Sequence, residues 1–305
     1  MRDTFVRTLI ELAKKDRRIV LITGDLGFGV LKPFWEELPD QFLNVGIAEQ
    51  NMTTLAAGLA LEGKIVFTYS IGNFPTLRCV EQIRNDCAYH NANVKIVCIG
   101  GGYVYGSLGM SHHATEDIAI MRSLPDVTVF APADKTEAVA VTKALVENNG
   151  TCYLRLGRGG EASIHDETTS LSVLNAIKYQ DGKRVAIFST GAIFDEIITA
   201  KDILASNGVV PAIYSFPTVK PLDEETIVSC SKEFDVIVTC EEHNVIGGFG
   251  SAVSEVLAKN GSKAKQIAVG IPDTYCCAVG NQKYLRSEFG LNGEQIAKRI
   301  LESLK

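Results

Sequence analysis

The sequence predicts an α/β protein made of two domains, each built around a mostly parallel β-sheet. Short runs of β-branched residues alternate with helical patterns from one end of the chain to the other, which is typical of βα units. The 305 residues are enough for two domains of ordinary size. From Gly157 onward, a stretch rich in Gly, Ser, Thr and charges interrupts the alternation. We therefore predict domains at residues 1–160 and 181–305, joined by a linker at residues 161–180.

In the first domain, short apolar runs predict strands and longer amphipathic stretches predict helices. After an amphipathic opening segment, the predicted strands lie at residues 19–23, 64–69, 94–99, 127–131 and 152–156. The predicted helices lie at residues 50–61, 77–89, 116–124 and 135–147. Parallel sheets bind ligands at the carboxyl ends of their strands. We therefore expect the loops at residues 70–76 and 100–115 to carry the binding site.

The second domain repeats the alternation. Its predicted strands lie at residues 184–189, 210–216, 236–240 and 265–269. Its predicted helices lie at residues 194–206, 224–230 and 247–259. Residues 292–295 (Asn-Gly-Glu-Gln) have the pattern of a capped helix start, so we expect a last amphipathic helix behind them.

The composition argues against several classes of function. A net charge of −6 with scattered Lys and Arg gives no basic surface for nucleic acid. No apolar run reaches transmembrane length, and the first residues lack the layout of a signal peptide. None of the eight cysteines forms a Cys-x-x-Cys pair, so we expect reduced cysteines in a cytoplasmic protein, with neither disulfides nor a metal site on this chain. Cys276 and Cys277 are adjacent, and a redox pair is the alternative for them.

A single acid, Glu49, lies among small and apolar neighbours between Asn44 and Met52. The segment behind it, residues 53–61, is almost free of charge, which predicts a helix buried on all sides. A carboxylate at the edge of such a helix must be paired, protonated or held by a ligand. From the residues alone, a helix-start acid satisfied by backbone N–H groups and a functional carboxylate both remain open.

The loop after the third predicted strand combines glycines with histidines. Residues 100–109 contain five glycines, which permit close approach of the backbone to a ligand, but no helix opens from them as a dinucleotide fingerprint requires. His112 and His113 follow, and histidines at a strand end can act as acid and base near neutral pH. A structural role and a metal pair are the alternatives, although neighbouring side chains diverge and no third ligand is near in sequence.

Several segments, in order, resemble the C-terminal half of transketolases, and deoxyxylulose-phosphate synthases are similar over the same segments. They are Asn44–Met52, Val80–Asn85, Ser111–Ala119, Lys220–Asp223 and Glu241–Gly250. The resemblance covers essentially the whole chain. It implies a thiamine-diphosphate pyrimidine-binding domain at residues 1–160 and a transketolase C-terminal domain at residues 181–305.

The resemblance also implies a partner. Thiamine-diphosphate enzymes hold the diphosphate through Mg²⁺ with a Gly-Asp-Gly motif and a later Asn, and the nearest segment here, Gly24-Asp25-Leu26, does not match. The chain thus resembles one subunit of a split transketolase. We expect a separate subunit to hold Mg²⁺ and the diphosphate, two copies of this chain within an α2β2 assembly, and sugars as substrates.

Residue by residue, the resemblance implies roles in cofactor binding and activation. Glu49 matches the acid that hydrogen-bonds the aminopyrimidine ring and so favours the tautomer that removes the thiazolium C2 proton. Phe74 matches an aromatic residue that packs on the pyrimidine, with an ordinary core Phe as the alternative. Asp25 matches an acid that lines the cofactor cleft, with a structural turn as the alternative. The aromatic residues that flank this site in relatives are replaced by Ile71 and Leu77.

Other positions match substrate contacts. His112 matches the histidine that hydrogen-bonds a substrate oxygen and assists proton transfer, while His113 occupies a position usually held by Gln and is a second candidate for substrate contact. Arg155 and Arg158 fall where relatives place an arginine for the substrate phosphate, with a strand-end ion pair as the alternative. Leu108 stands where transketolases have an acid that contacts a sugar hydroxyl, which predicts a modified or deoxygenated sugar.

The function predicted on these grounds is transfer of a two-carbon ketol unit between a ketose and an aldose. Two alternatives are the β-subunit of a 2-oxoacid dehydrogenase and a non-catalytic subunit of the same fold. Retention of Glu49 and His112 favours catalysis, whereas Ile71, Leu77 and Leu108 indicate divergence.

Overall fold

Two β-sheets, one of seven strands and one of five, organise the chain in the computed structural model. The structure describes residues 1–166 and 168–305; Glu167, which falls in the predicted linker, lies outside the described residues. The strands are β1 (Ile19–Thr23), β2 (Phe42–Asn44), β3 (Ile65–Ile71), β4 (Val94–Ile99), β5 (Thr128–Phe130), β6 (Cys152–Leu156), β7 (Ile177–Gln180), β8 (Val185–Ser189), β9 (Ala212–Ser215), β10 (Thr218–Lys220), β11 (Val236–Asn244) and β12 (Lys265–Ile271).

Helices cover both sheets. They are α1 (Arg2–Ala13), α2 (Phe28–Glu37), α3 (Glu49–Leu61), α4 (Val80–Gln82), α5 (Asp117–Ser123), α6 (Lys135–Glu147), α7 (Phe194–Ser206), α8 (Glu224–Glu233), α9 (Phe249–Lys259), α10 (Gln282–Glu288) and α11 (Gly293–Ser303). The predicted fold class, two parallel-sheet α/β domains, is confirmed. The cap predicted for the last helix is also present, because the Asn292 side chain accepts a hydrogen bond from the backbone N–H of Gln295 at 2.9 Å.

The first sheet has the strand order β10-β5-β6-β4-β3-β1-β2. Its strands are parallel except β10, which comes from the second half of the chain and pairs antiparallel with β5. Strands β1, β4 and β6 are buried along their whole length, which explains their continuous apolar character. Because these strands run parallel, their carboxyl ends lie at one edge of the sheet. The predicted site residues follow the strands at that edge.

The second sheet has the strand order β12-β11-β8-β9-β7. Only β7, which forms inside the segment predicted as linker, runs antiparallel to its neighbour, β9. Each sheet is thus a parallel core closed by one antiparallel edge strand.

Two helical predictions need correction. The segment predicted as one helix at residues 77–89 is a 3₁₀ turn at Leu77–Cys79, then α4, then a π-helix at Ile83–Ala88. The prediction that α3 is buried on all sides is wrong, because its outer face is exposed. Its small uncharged residues hide the amphipathic pattern, and the exposed positions are Gln50, Asn51, Thr54, Leu55, Gly58 and Leu61.

All eight cysteines are free, and seven of them are buried. None of the helices in the described part of the chain is both long and apolar enough to span a membrane.

Candidate active site

Four predicted residues meet at the carboxyl edge of the first sheet. Asp25 follows β1, Glu49 begins α3 behind β2, Phe74 follows β3, and His112 lies in the loop after β4. The loops after β3 and β4 touch because Gly72 lies directly against Ala114: a Cβ on Gly72 would come within 2.8 Å of the Ala114 Cβ. The tertiary fold therefore assembles one site from residues that are far apart in sequence.

Glu49 is buried and incompletely paired. Its side chain is 3% exposed, and its Oε2 accepts a hydrogen bond from Arg78 Nη1 at 2.7 Å. Among the described residues, nothing donates a hydrogen bond to its other oxygen, Oε1, and no backbone N–H bonds the carboxylate. The alternative of an acid satisfied by the start of its own helix is therefore not what the structure shows, and one oxygen is free to accept a hydrogen bond from a ligand.

Arg78 is a site residue that the sequence analysis missed. Its guanidinium carbon lies 4.5 Å from the centre of the Phe74 ring, a cation–π distance, while its Nη1 contacts Glu49. The side chain is 47% exposed, so solvent screens this pair on one side. Arg78 thus joins Glu49 to Phe74 across the cleft.

Phe74 also contacts His112, so Glu49, Arg78, Phe74 and His112 form one continuous row of contacts. Their ring centres are 5.2 Å apart with an interplanar angle of 69°, an edge-to-face arrangement. His112 Nδ1 lies 3.0 Å from the Ser111 hydroxyl, which fixes the orientation of the imidazole. Both rings are half-buried, so each keeps part of its surface open to a ligand.

Asp25 forms a tight turn beside this row. It adopts a left-handed conformation with φ of 58°, which costs little for Asp. Its backbone N–H donates to Asn44 Oδ1 at 3.0 Å, and the Asn44 amide donates back to Asp25 Oδ1 at 3.0 Å. These bonds tie the ends of β1 and β2 together. The structural-turn alternative therefore accounts for Asp25 while leaving it at the rim of the cleft.

The two adjacent histidines face different surroundings. His113 is 3% exposed, and its ring lies 5.1 Å from Tyr103, edge to face. Its Nε2 has no hydrogen-bond partner in the described part of the chain. Burial lowers the pKa of His113 below its ordinary value, although the Gly106 backbone acts in the opposite direction. Burial thus favours the uncharged form of His113, and its ring packs against Tyr103.

The two predicted arginines are not equivalent. Arg155 is 6% exposed, and its Nε donates to Asp117 Oδ2 at 2.8 Å. Its Nη2 donates to the carbonyls of Ala114 at 2.8 Å and Glu242 at 2.9 Å. The ion-pair alternative is therefore the one that the structure shows for Arg155. Arg158 is exposed, with its guanidinium carbon 5.5 Å from the centre of the Tyr105 ring.

A buried polar network locks the two domains together next to these arginines. Glu242 accepts hydrogen bonds from Arg286 at 2.6 and 2.8 Å and from the backbone N–H of Tyr103 at 2.7 Å. Gly101 packs so closely on Arg155 that an added Cβ would lie 2.5 Å from the guanidinium. In the same loop, a Cβ added to Gly102 would lie 2.6 Å from the Glu242 carboxylate, so the glycine-rich loop serves interdomain packing.

The segment Glu241–Gly250, one of those that resemble transketolases, has a structural role in the described chain. Buried Glu241 accepts the backbone N–H groups of Phe249 and Gly250 at 2.7 Å, at the start of α9, and burial raises its pKa to about 7. His243 Nε2 accepts from the Ala119 backbone N–H at 3.3 Å, so this motif anchors the second domain to α5.

Leu77, Leu108 and Ile71, which the resemblance marks as departures from the family, are not fully buried. Leu108 and Leu77 are exposed, and Ile71 is half-buried. Within the described ranges, no cluster of three or more His, Cys, Asp or Glu side chains could hold a metal ion.

Comparisons with known proteins agree on one family. The family described as "Transketolase, pyrimidine binding domain" matches residues 1–160, and "Transketolase, C-terminal domain" matches residues 175–296. The chain is 41% identical over 308 aligned residues to a transketolase C-terminal section of Methanocaldococcus jannaschii, covering 100% of this chain and 96% of that protein. It is 36% identical to a 6-deoxy-6-sulfo-D-fructose transketolase subunit of Clostridium sp., covering 99% and 94% of the two chains.

Solved structures show the same relationship. A split-gene transketolase, described as an inactive β4 tetramer, superposes with a TM-score of 0.89 at 32% identity, covering 99% of this chain and 97% of that one. The chain is also 34% identical to the 1-deoxy-D-xylulose-5-phosphate synthase of Syntrophotalea carbinolica, but it spans only 47% of that longer protein.

Proposed function

The chain belongs to the transketolase family as a transferase subunit, and from this premise we propose that it transfers a two-carbon ketol unit from a ketose to an aldose with thiamine diphosphate as cofactor. The observation that carries the proposal is the buried Glu49 carboxylate, whose Oε1 accepts no hydrogen bond within the described residues and whose Oε2 is linked through Arg78 to Phe74. Residues 1–160 would act as the pyrimidine-binding domain, 161–180 as the linker and 181–305 as the C-terminal domain.

The site residues fit an aminopyrimidine ring. Such a ring needs a carboxylate at one nitrogen and an apolar surface against its face. Glu49, whose side chain is 3% exposed, offers an oxygen that accepts no hydrogen bond within the described residues, and Phe74 offers a half-buried aromatic surface. A buried carboxylate whose proton is shared with a ring nitrogen loses much of the cost of its desolvation.

When bound, thiamine diphosphate supplies the carbon nucleophile that protein side chains lack. In the proposed mechanism, Glu49 would hold the aminopyrimidine ring through its unpaired oxygen and would share a proton with it, which would favour the tautomer needed for activation. Arg78 keeps the opposite carboxylate oxygen in place, and Phe74 orients the ring. His112, positioned by Ser111 and Phe74, exchanges a proton with a substrate oxygen. Asp25 borders the cleft, and Arg158 is the arginine still free to meet an anionic group of the substrate.

A partner subunit completes the proposed enzyme. The sequence lacks the Gly-Asp-Gly motif, so the diphosphate and Mg²⁺ are assigned to a separate chain, within an α2β2 assembly that contains two copies of this one. Ile47, 77% exposed, stands two residues before Glu49, and the outer face of α3 exposes Leu55 and Leu61. Apolar groups beside a cofactor cleft support coverage by another subunit. The inactive β4 form of the split-gene relative also supports dependence on a partner.

The proposed substrates are modified sugars. Leu108 cannot accept a hydrogen bond, so an ordinary sugar hydroxyl left unpaired against it, once the partner subunit has covered this exposed position, is disfavoured by about 1–3 kcal/mol. The sulfo-deoxyfructose transketolase subunit, by its name, handles a sugar altered at one carbon. A substrate panel with the reconstituted pair tests this proposal. Xylulose 5-phosphate and ribose 5-phosphate as the best pair would contradict it.

The direct test of function is exchange of the thiazolium C2 proton, followed by NMR on the chain reconstituted with its diphosphate-binding partner. Glu49→Gln should slow the exchange by at least about 10²-fold. The matched control is Glu62→Gln, which makes the same change at the exposed end of α3 and should leave exchange unchanged. Exchange at the wild-type rate in Glu49→Gln would remove Glu49 from the mechanism.

The proposal also covers cofactor binding by the chain alone, the choice between enzyme classes and the location of the protein. Calorimetry on the chain alone should find weak binding of thiamine diphosphate; tight Mg²⁺-dependent binding without a partner would contradict the subunit assignment. The matched families and relatives are transketolases and a related synthase, which supports ketol transfer over the 2-oxoacid dehydrogenase alternative. Reduced cysteines, seven of them buried, support a cytoplasmic location.

A further inference from the structure

The side chain of Asn73 ties the loop after β3 to the loop that carries His112. Asn73 directly precedes Phe74 and is half-buried. Its amide nitrogen, Nδ2, donates a hydrogen bond to the carbonyl of His113 and a longer one, at 3.4 Å, to the carbonyl of Ser111. These two carbonyls stand on either side of His112, so one side chain holds the backbone both before and after that residue.

The chemistry of the two partners fixes the orientation of the Asn73 amide. An asparagine nitrogen carries two donor hydrogens, whereas its oxygen only accepts. Both partners are backbone carbonyls, which only accept, so the nitrogen is the atom that faces the loop. Among the described residues, no other group donates to the carbonyl of Ser111 or of His113. The two donor hydrogens of Asn73 therefore match two acceptors that have no other partner there.

The rest of the loop gives His112 little further support from the backbone. One 3₁₀ turn, Met110–His112, shapes this segment, and its first two residues are exposed. Beyond it, Ala114 exchanges two backbone hydrogen bonds with Gly102, at 2.7 and 3.1 Å. A 3₁₀ turn sets the shape of its own backbone but not its place against a neighbouring loop. Within the described chain, the hydrogen bonds that place this turn against the loop after β3 come from Asn73.

The residue next to Asn73 contacts the imidazole itself. The Phe74 ring meets the His112 ring edge to face, with the ring centres 5.2 Å apart. We propose that Asn73 is a positioning residue of the candidate active site, which holds the backbone on both sides of His112 so that the imidazole keeps its place against Phe74. That this placement serves proton exchange with a substrate rests on the proposed ketol transfer, whereas the placement itself does not.

Asn73→Ala removes both hydrogen bonds and leaves the Phe74 ring unchanged. A misplacement of about 1 Å can cost about 10²-fold in rate, so kcat/KM of the reconstituted enzyme should fall by about 10- to 100-fold. Exchange of the thiazolium C2 proton should stay at the wild-type rate, because Glu49 is untouched; a general loss of structure would slow both. Asn73→Gln keeps an amide on a side chain one methylene longer, and should recover at least about 3-fold of the loss in kcat/KM.

A double variant separates positioning from an independent role. If Asn73 acts through His112, adding Asn73→Ala to His112→Ala should change kcat/KM by less than about 3-fold, because the group being positioned is already absent. The matched control is Asn207→Ala. Asn207 is exposed in the second domain, and its Nδ2 also donates to a backbone carbonyl, that of Ile203, at 2.9 Å. This control should leave kcat/KM unchanged.

Placement can be measured without turnover, by crystal structures of the full-length chain. In Asn73→Ala the His112 ring should move by about 1 Å or more relative to Phe74 or become disordered, and in Asn207→Ala it should not move. An unmoved His112 in Asn73→Ala would overturn the proposal whether or not the enzyme transfers ketol units. Losses that multiply in the double variant would overturn it too. A displaced His112, with no ketol transfer by the wild-type pair, would support the positioning and refute the proposed function alone.

Discussion

Arg155→Met should damage stability far more than substrate binding. The Arg155 side chain is buried in an ion pair with Asp117, which is 0% exposed, and also donates to the Ala114 and Glu242 carbonyls. Removing one partner of a buried pair strands the other charge, which costs about 3–5 kcal/mol. The Tyr153 hydroxyl, which donates to Asp117 Oδ2 at 2.6 Å, remains as the one side-chain donor to Asp117 among the described residues. For a chain of this size the loss corresponds to a fall in Tm of about 6–20 °C.

The assay is urea unfolding followed by fluorescence, with the sugar KM of the reconstituted enzyme measured in parallel. Arg158→Met is the matched control, because Arg158 is exposed; it should leave stability within about 0.5 kcal/mol of wild type. Adding Asp117→Asn to Arg155→Met removes the stranded charge and should recover about 1 kcal/mol or more. Wild-type stability in Arg155→Met, together with a large rise in KM, would show that Arg155 binds substrate and that the ion pair contributes little.

Three further predictions concern other side chains of the site and the linker. His112→Ala should lower kcat/KM by about 10²–10⁴-fold with cofactor affinity nearly unchanged; calorimetry showing a comparable loss of cofactor binding would contradict a substrate role. Arg78→Met should lower the unfolding free energy by about 1–3 kcal/mol, because it leaves the buried Glu49 carboxylate without its Arg78 partner; urea unfolding at wild-type stability would contradict this. Burial acts to lower the pKa of His165, but the hydrogen bond and charge of Glu137 outweigh it and raise that pKa. The contact between His165 and Glu137 should therefore stabilise the fold fully below about pH 6.5, and less as the pH rises through the raised pKa of His165. An unfolding free energy of His165→Gln with the same pH dependence as that of the wild type would refute this.

The regular elements could be predicted because their signals are local. Strand β4 and helix α6 have clear apolar patterns, and the predicted bounds, 94–99 and 135–147, match the structure. Helix α2 was missed because Gly29 and Pro33 interrupt its pattern. Strand β10 was missed because its three residues form a strand only through pairing with β5, about 90 residues earlier in the chain.

The residues of the candidate site likewise divide into those that a local sequence pattern predicts and those that only the tertiary fold brings in. Glu49 is recognisable as a lone acid in an apolar segment, and His112 as part of a strand-end loop. Arg78 gave no such signal, since an arginine in a helical stretch is ordinarily a solvated surface group, and its contact with Glu49 depends on how two loops meet. The burial of Tyr103 depends on its stacking against Phe289 of the second domain, which no local pattern encodes.

The pairing of β10 with β5 also has a consequence for synthesis of the chain. While a ribosome extends the polypeptide, β5 is complete at Phe130, but its edge stays open until Lys220 has been added. At about 5–20 residues per second, this delay is about 5–20 s. Throughout it the nascent first sheet displays unpaired backbone groups that can template aggregation. Translation stopped before residue 218 should therefore yield an aggregation-prone product, and the first domain should not be separable by cutting the gene at the linker.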